Sequence, residues 1–422
     1  MLNKKSIKDV DTSTFLEVFR KPLYDSYCFS NIPGTIKCLL TGEVESNQLP
    51  KEVVPNEEYD KVILFFVDAF GWRFFERYKD KYPTLKRFID KGIASKITSQ
   101  FPSTTAAHVT AVHTGKRVDE SGIFEWYYYE PKLDAMIAPL LFSYAGDKER
   151  NTLEGIIEPG ELYPNHSIYN ELGKKGVNTY LFQSKDYTPS PYGDVVTKGV
   201  KNINAFIDVE SALSDLSKAV MDESGKAYYH FYYGDIDQAG HEFGPDSPEF
   251  ESAVDNFFSN LEKLFINVVK DKCGKTLMLM TADHGQTNTD PATTIYINNE
   301  LPQITKWTKT NAKGELLVVG GSCRDMFLYI KDEYLDTAMS SFKELLDGKA
   351  AVFLTDYLMK EGFFGENPSK KLKGRIGNIC ILPYKNNSVF WWEEGKFQQK
   401  FYGHHGGLTP EEMDSILLSL EL

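Results

Sequence analysis

The sequence predicts an α/β protein with a doubly wound, mostly parallel central sheet and helices on both faces, plus a smaller α+β subdomain inserted late in the chain. Three observations predict it. The run Lys61-Val-Ile-Leu-Phe-Phe-Val67 is apolar without alternation, which a strand needs when both of its faces are covered. Helix and strand signals then alternate as far as Thr281, the rhythm of βαβ units. A hydrophobic content of 41% with 14% aromatics supplies a core large enough for helices on two faces of a sheet.

Residues 1–57 read as an N-terminal extension packing on the core, helical from Phe15 to Cys28 and turning at Ser30-Asn-Ile-Pro-Gly-Thr35. The first strand, 61–67, ends at Asp68 and is followed by helical segments at Trp72–Tyr78 and Pro83–Gly92, then by a strand at 93–98. The stretch Ser99-Gln-Phe-Pro-Ser-Thr-Thr-Ala-Ala-His-Val-Thr-Ala-Val-His-Thr-Gly115 follows: hydroxyls after a Pro, small and apolar residues at helical spacing, and a closing Gly. Such a stretch presents hydroxyls at a helix N-terminus, where unpaired backbone N–H groups favour an anion. Taken alone, those hydroxyls are ordinary N-caps.

Further along, helices are expected near 167–175, 204–221 and 247–270, and strands at 177–183, 227–233 and 276–281. From 296 to 397 the rhythm breaks into short strand candidates: Met326–Ile330, Ala351–Thr355, Asn378–Leu382 and Ser388–Trp392. This segment reads as the inserted subdomain, leaving 58–295 and 398–422 as the main α/β domain, the latter piece Gly-rich with a short helix after Thr409.

A net charge of −13 with no long basic run disfavours binding along a nucleic-acid backbone. The five cysteines are odd in number and include no C-x-x-C pair, so they read as reduced thiols. The charged N-terminus lacks an apolar signal core, and no run approaches the ~20 apolar residues that span a bilayer. A cytoplasmic location is expected, with no membrane span. Nothing in the pattern specifies an oligomeric state.

Chemistry concentrates in four further turns. Asp68 ends the first strand. Gly234-Asp-Ile-Asp237-Gln-Ala-Gly-His241 sets Asp237 and His241 four apart, one helical turn. Thr281-Ala-Asp283-His284-Gly285 ends the Leu-Met-Leu-Met strand, and Gly403-His404-His405-Gly406-Gly407 lies near the C-terminus. Each has an ordinary reading as a cap or turn. Of eight histidines, however, His241, His284, His404 and His405 all fall beside Gly in these turns, whereas His108, His113, His166 and His230 have no such setting and read mostly as core or surface residues. Three Asp, three His and one hydroxyl are what two zinc ions need, with about four N/O ligands each. Two such ions clamp the entering and leaving oxygens of a phosphoryl displacement. Against three carboxylates they leave net positive charge, so an acidic protein still accepts an anion.

In this order the motifs resemble the alkaline phosphatase superfamily, and more narrowly its nucleotide pyrophosphatase/phosphodiesterase branch. The resemblance covers the core from about 61 to 290 and the closing His-Gly. In that branch the nucleophile lies ten residues before the Gly that closes its helix, which from Gly115 selects Thr105 over Ser103 and Thr104. It implies one zinc held by Asp237, His241 and His405, and the other by Asp68, Asp283, His284 and the Thr105 oxygen. His405 is preferred to His404 because the family's ligand directly precedes the Gly. The implied cofactor is two divalent metal ions, zinc first and Mn²⁺ second. The implied activity is cleavage of phosphodiester or nucleotide pyrophosphate bonds in a small phosphate-ester or nucleotide substrate, through a phospho-threonine intermediate.

Two departures stand out. The Asn that diesterases of this branch use to bind a phosphate oxygen has no counterpart in Gly122-Ile-Phe-Glu-Trp-Tyr-Tyr-Tyr129. That aromatic run is expected to be a core strand, with stacking on a nucleobase as its other reading. No Arg stands where monoesterases grip a dianionic phosphate, with Arg324 of the subdomain the candidate to reach in. The rivals are a phosphomonoesterase or phosphomutase of the same superfamily and, from another class, a metal-stabilised binding protein without catalysis. No Cys/Ser-x-Pro-x-Arg sulfatase motif is present.

Overall fold

The computed structural model describes residues 1–55 and 57–422. The strands that matter below are β1 (Lys61–Val67), β2 (Ile93–Thr98), β3 (Asn178–Ser184), β4 (Asn202–Phe206), β5 (Ala227–Tyr233), β6 (Thr276–Thr281), β7 (Met326–Leu328), β8 (Ala350–Leu354), β9 (Ile379–Pro383) and β10 (Asp414–Glu421). The helices that matter below are α1 (Lys4–Thr12), α2 (Ile32–Thr41), α3 (Trp72–Tyr78), α4 (Pro83–Lys91), α5 (Thr105–Thr114), α6 (Val209–Asp222), α7 (Asp235–Phe243) and α8 (Pro248–Asn260). No helix among the described residues is long and apolar enough to cross a membrane.

Seven strands form the central sheet in the order β2-β10-β6-β1-β5-β3-β4. All are parallel except β10, which runs against both β6 and β2. The apolar run of β1 divides by pleat. Ile63, Phe65 and Val67 pack on one face with Phe74 of α3, Phe88 of α4, Leu213 of α6 and Phe257 of α8. Val62, Leu64 and Phe66 pack on the other with Ile36 and Leu40 of α2 and Val112 of α5. Each of these side chains adds roughly 1.5–3 kcal/mol of burial, which is why no polar residue interrupts the strand. A second sheet, β7-β9-β8, is antiparallel and built from three of the strands predicted in 296–397.

The departures from expectation are local. Residues 15–28 are not helical: Leu16 and Glu17 take positive φ (51° and 62°) in a tight turn, and the helix lies earlier, as α1. Ser30–Thr35 is not a free turn but runs into α2, with Pro33 in its first turn, where a missing N–H costs nothing. The expected helix 204–221 begins only at Val209, because Asn202–Phe206 pairs with β3 as an edge strand. The last residues contain β10 as well as the expected short helix Pro410–Met413. Its Ile-Leu-Leu run is too short to declare a strand until the slot between β2 and β6 is known.

Candidate active site

The central register decides where the site lies. Val67 is opposite Tyr233, and Phe66 is opposite Thr281, so β1, β5 and β6 end at one level. The residues just beyond those ends, Asp68, the first turn of α7 and Asp283, therefore converge at the carboxyl edge of the sheet, the usual ligand edge of open α/β folds. α7 presents Asp237 and His241 one turn apart. The loop before β10 brings His405.

Two clusters result: Asp237, His241 and His405, and Asp68, Asp283 and His284, with the candidate ligand atoms of each lying within 4.8 Å of one another. The rings of His284 and His405 stack at 3.6 Å, so the clusters adjoin. Thr105 is the first residue of α5, and its Oγ1 lies 3.3 Å from His284 Nε2. All seven residues singled out in the sequence thus come together. His404 stands aside, its Nδ1 turned to the His405 carbonyl oxygen at 2.9 Å.

Each clustered imidazole is set the same way. His284 Nδ1 faces the Gly285 carbonyl (3.1 Å), His241 Nδ1 that of Gly403 (2.8 Å), and His405 Nδ1 that of Ser103 (2.9 Å). A carbonyl only accepts, so Nδ1 carries the proton and donates, and the Nε2 lone pair is left free. Those Nε2 atoms face carboxylates: His284 to Asp283 Oδ2 at 3.1 Å, His241 to Asp237 Oδ2 at 3.3 Å, and His405 to Asp237 Oδ1 at 3.8 Å. Orientation by a backbone acceptor on the far nitrogen is how a metal-binding histidine is held.

The carboxylates fit the same reading. Asp68 Oδ1 and Asp283 Oδ2 are buried with no hydrogen-bond donor, an expensive state for an anion unless a cation meets it. Burial pushes the Asp68 carboxyl well above the usual range, and the charges of Asp283 and Asp237 push it further. For Asp237 burial also acts upward, but His241, His405 and His284 outweigh it and hold the group low. Burial takes His405 well below the usual imidazole range, with His284 adding to the effect. Acceptor-only carboxylates crowded against free imidazole lone pairs suit divalent cations, one per cluster.

Supporting contacts come from residues to which the sequence assigned no such role. Tyr232 donates its hydroxyl to Asp68 Oδ2. Gln286 donates to the Asp237 carbonyl at 3.0 Å and to its carboxylate. His108 braces the loop that carries Thr105, its Nδ1 donating to the Thr104 carbonyl (2.6 Å) while its Nε2 accepts from the Gln100 amide (2.9 Å). Ser103 joins that loop to the other histidine turn, donating to the Gly407 carbonyl at 2.8 Å and accepting from the Gly406 amide at 3.2 Å. Thr104 is the N-cap of α5 by position, yet its hydroxyl donates to the Phe124 carbonyl and not to the helix. The only sequence signal for these contacts was that each residue stands within a few positions of Thr105, Asp237 or His284.

Two expectations are corrected. Arg324 does not reach into the site: it is fully buried, its Nε and Nη2 paired with Glu412 at 2.9 and 2.8 Å, and its Nη1 on the Tyr384 carbonyl at 3.0 Å. The aromatic run is not one core strand. Tyr128–Glu130 is a strand with Tyr128 fully buried, whereas Trp126 is 39% exposed and lines a cavity of about 410 Å³. Thr105, Asp68, Asp237, His241 and His405 line the same cavity.

Residues 62–408 match the family model described as "Type I phosphodiesterase / nucleotide pyrophosphatase". The chain belongs to that family. The type I phosphodiesterase/nucleotide pyrophosphatase family is metal-dependent, in keeping with the two clusters. Among solved structures, the chain is similar to murine ectonucleotide pyrophosphatase/phosphodiesterase 5, an inactive form in complex with AMP, at 16% identity and TM-score 0.64, covering 85% of this chain and 87% of that one. The human protein of the same name gives 16% and 0.63 over 85% and 87%. Phosphonoacetate hydrolase from Sinorhizobium meliloti 1021 in complex with phosphonoacetate gives 17% and 0.60 over 87% and 92%. These likenesses show the alkaline phosphatase-like fold. No curated protein matches the sequence.

The glycines of this family member matter where loops cross. A Cβ at Gly285 would sit 2.3 Å from the Glu411 carbonyl oxygen, so Gly285→Ala must push the His284 turn away from the loop before β10. We expect a loss of about 1–3 kcal/mol in denaturant unfolding; a loss within ~0.5 kcal/mol, the range of an ordinary surface change, would show that the loops yield freely.

Proposed function

We propose that this family member is a two-metal hydrolase that cleaves phosphodiester or nucleotide pyrophosphate bonds, with Thr105 as nucleophile. The observation that carries this reading is the place of Thr105: first residue of α5, lining the cavity, its Oγ1 3.3 Å from His284 Nε2 where the two clusters adjoin. Asp237, His241 and His405 would hold one divalent cation. Asp68, Asp283, His284 and the Thr105 oxygen would hold the other, with Zn²⁺ the best match to these N/O donors and Mn²⁺ the alternative. When bound, such cations supply Lewis-acid stabilisation of charge on the entering and leaving oxygens.

The chain's own groups do the rest. No side chain caps α5, so its first backbone N–H groups are free to face a phosphoryl oxygen, and the helix dipole favours the anion there. Thr105 Oγ attacks phosphorus, the P–O bond to one ester group breaks on the opposite side, the Thr105 proton leaves with that oxygen as the alcohol, and a threonyl phosphodiester bearing the other ester group remains. Water then displaces Thr105, giving two inversions and net retention at phosphorus. At the cavity mouth the exposed face of Trp126 offers a stacking surface for a nucleobase. With Arg324 committed to Glu412, the cation expected for a monoesterase is not supplied from that position.

The test is hydrolysis of bis-p-nitrophenyl phosphate by the metal-loaded protein. No turnover at full metal content would leave a metal-stabilised binding protein as the better description. Asp237→Ala or His241→Ala should each remove roughly one metal per chain by elemental analysis. Two metals retained would overturn the ligand assignment.

A further inference from the structure

The cavity runs on past the clusters. Thr105, Val109 and His113 all line it and stand at positions i, i+4 and i+8 of α5, so one slowly turning stripe of that helix forms a wall. From 105 to 113, at ~1.5 Å per residue, the wall carries roughly 12 Å from Thr105 to its far end at His113. Trp126 belongs to the opposite end, since the nearby Phe124 carbonyl takes the Thr104 hydroxyl at 3.2 Å. A diester has two ester groups, and the cavity offers each a different end.

The chemistry of the His113 end is set from behind. His113 Nδ1 lies 2.7 Å from the hydroxyl of Tyr169, a fully buried residue on the helix Ile168–Lys174, and that hydroxyl has no other partner among the described residues. Were Nδ1 the donor, the Tyr169 proton would be stranded in the core at a cost of about 1–3 kcal/mol. Tyr169 therefore donates, Nδ1 accepts, and the imidazole proton sits on Nε2. His230 of β5 lies behind, with ring centroids 4.8 Å apart and its own Nε2 enclosed without a partner. The His113 ring instead lines the cavity, where its Nε2, met by no residue, is the nitrogen left to face the space. Burial pushes the ring down to about 3 with no charged group to offset it, so His113 is a neutral donor. Two neighbours on the wall have no proton to offer. The Tyr192 hydroxyl donates to Thr110 Oγ1 at 2.9 Å, because the Thr110 proton already goes to the Ala106 carbonyl at 2.7 Å. Thr197 gives its proton to the Gly193 carbonyl at 2.7 Å.

We propose that His113 is a specificity-determining residue, whose Nε2–H at the far end of the α5 wall donates to an uncharged acceptor, a carbonyl oxygen or ring nitrogen, on one ester group of the substrate. The inference rests on the hydrolase reading above and extends it to what that ester group carries at roughly 12 Å from Thr105. A neutral donor in a closed pocket is satisfied by a neutral acceptor, and an apolar group in the same place leaves the N–H unpaired. An anion is disfavoured there, because burial keeps the imidazole from taking up the proton that would match the charge.

The experiment compares two p-nitrophenyl diesters in the metal-loaded enzyme. One is the ester of thymidine 5′-phosphate; the other has the same shape, with difluorotoluene in place of thymine and its carbonyl acceptors. The wild type should favour the thymidine ester on the order of tenfold in kcat/KM, chiefly through KM. His113→Phe keeps an aromatic ring but no N–H, and should bring the ratio to about one. That change strands the Tyr169 hydroxyl, so the double variant with Tyr169→Phe is made beside it and should give the same ratio. His113→Gln, whose amide oxygen can take the Tyr169 proton while its N–H faces the cavity, should keep most of the preference.

A wild-type ratio within about twofold of one overturns the proposal, as does a tenfold ratio that survives in a folded Phe variant. Should neither Phe variant fold, the wild-type ratio and the Gln variant still decide: a preference absent from the first, or lost from the second, overturns it. If the loaded wild type hydrolyses neither of these esters nor bis-p-nitrophenyl phosphate, the hydrolase reading fails and this inference with it. If it turns over both esters without preference, only this inference fails.

Discussion

Thr105→Ala is expected to lower kcat for bis-p-nitrophenyl phosphate on the order of a thousandfold or more, a barrier increase of at least about 4 kcal/mol. Metal content should stay within measurement error of the wild type, because the other donors of its cluster, Asp68, Asp283 and His284, are fixed by β1 and β6 and not by α5. Thermal stability should change little, since Thr105 is only half-buried and its hydroxyl has a single near partner, His284 Nε2. Thr105→Ser keeps the oxygen and should retain a measurable part of the activity. The measurement is steady-state turnover beside elemental analysis of the same samples. A Thr105→Ala protein that keeps a tenth or more of the wild-type rate would mean that Thr105 is not the nucleophile.

The second large effect concerns stability. Arg324 is buried with Glu412 in a two-point ion pair and also donates to the carbonyls of Tyr384, Asn387 and Pro383. Glu412 in turn accepts from the Gly407 amide at 3.0 Å and the Thr409 hydroxyl at 2.7 Å. Arg324→Leu strands a buried carboxylate and three acceptors, and should cost about 3–5 kcal/mol, read as a fall in the urea midpoint. Pairing it with Glu412→Leu should recover part of the loss, because two apolar groups need no desolvation. A single-variant loss below about 1 kcal/mol would show that water replaces the guanidinium at no great cost.

These two residues mark how far the sequence could be read. Thr105 was legible because a hydroxyl at a helix start, beside a strand end, is a local pattern that the family resemblance could then number. Asp68, Asp283 and His284 follow apolar strands directly, so their place at the sheet edge could be stated before any contact was known. Arg324 was misjudged because its partner is 88 residues away, and the sequence does not show that a lone Arg in a loop is already paired. Tyr232 on Asp68, Gln286 on Asp237 and Ser103 on the His405 turn were illegible for the same reason, being contacts between distant segments. The exposed place of Trp126 was hidden inside an aromatic run expected, on the usual burial of aromatics, to be a core strand, with stacking on a nucleobase as its other reading. The division of that run between core and cavity is set by where the chain turns after Phe124, not by its composition.

The antiparallel β10 has a further consequence, for how the molecule comes into being. It pairs Asp414 with Thr98 and Leu420 with Met278, filling a slot between two strands made much earlier. The loop just before it carries His405. During synthesis the ribosome must therefore release residues 414–421 before the sheet can close and His405 is held beside Asp237 and His241 by a finished sheet. Until then β2 and β6 expose unpaired edges, the state in which a nascent chain is most open to chaperones and to pairing with its neighbours. The step that completes the fold also assembles the site, so a truncated translation product should have neither stability nor turnover.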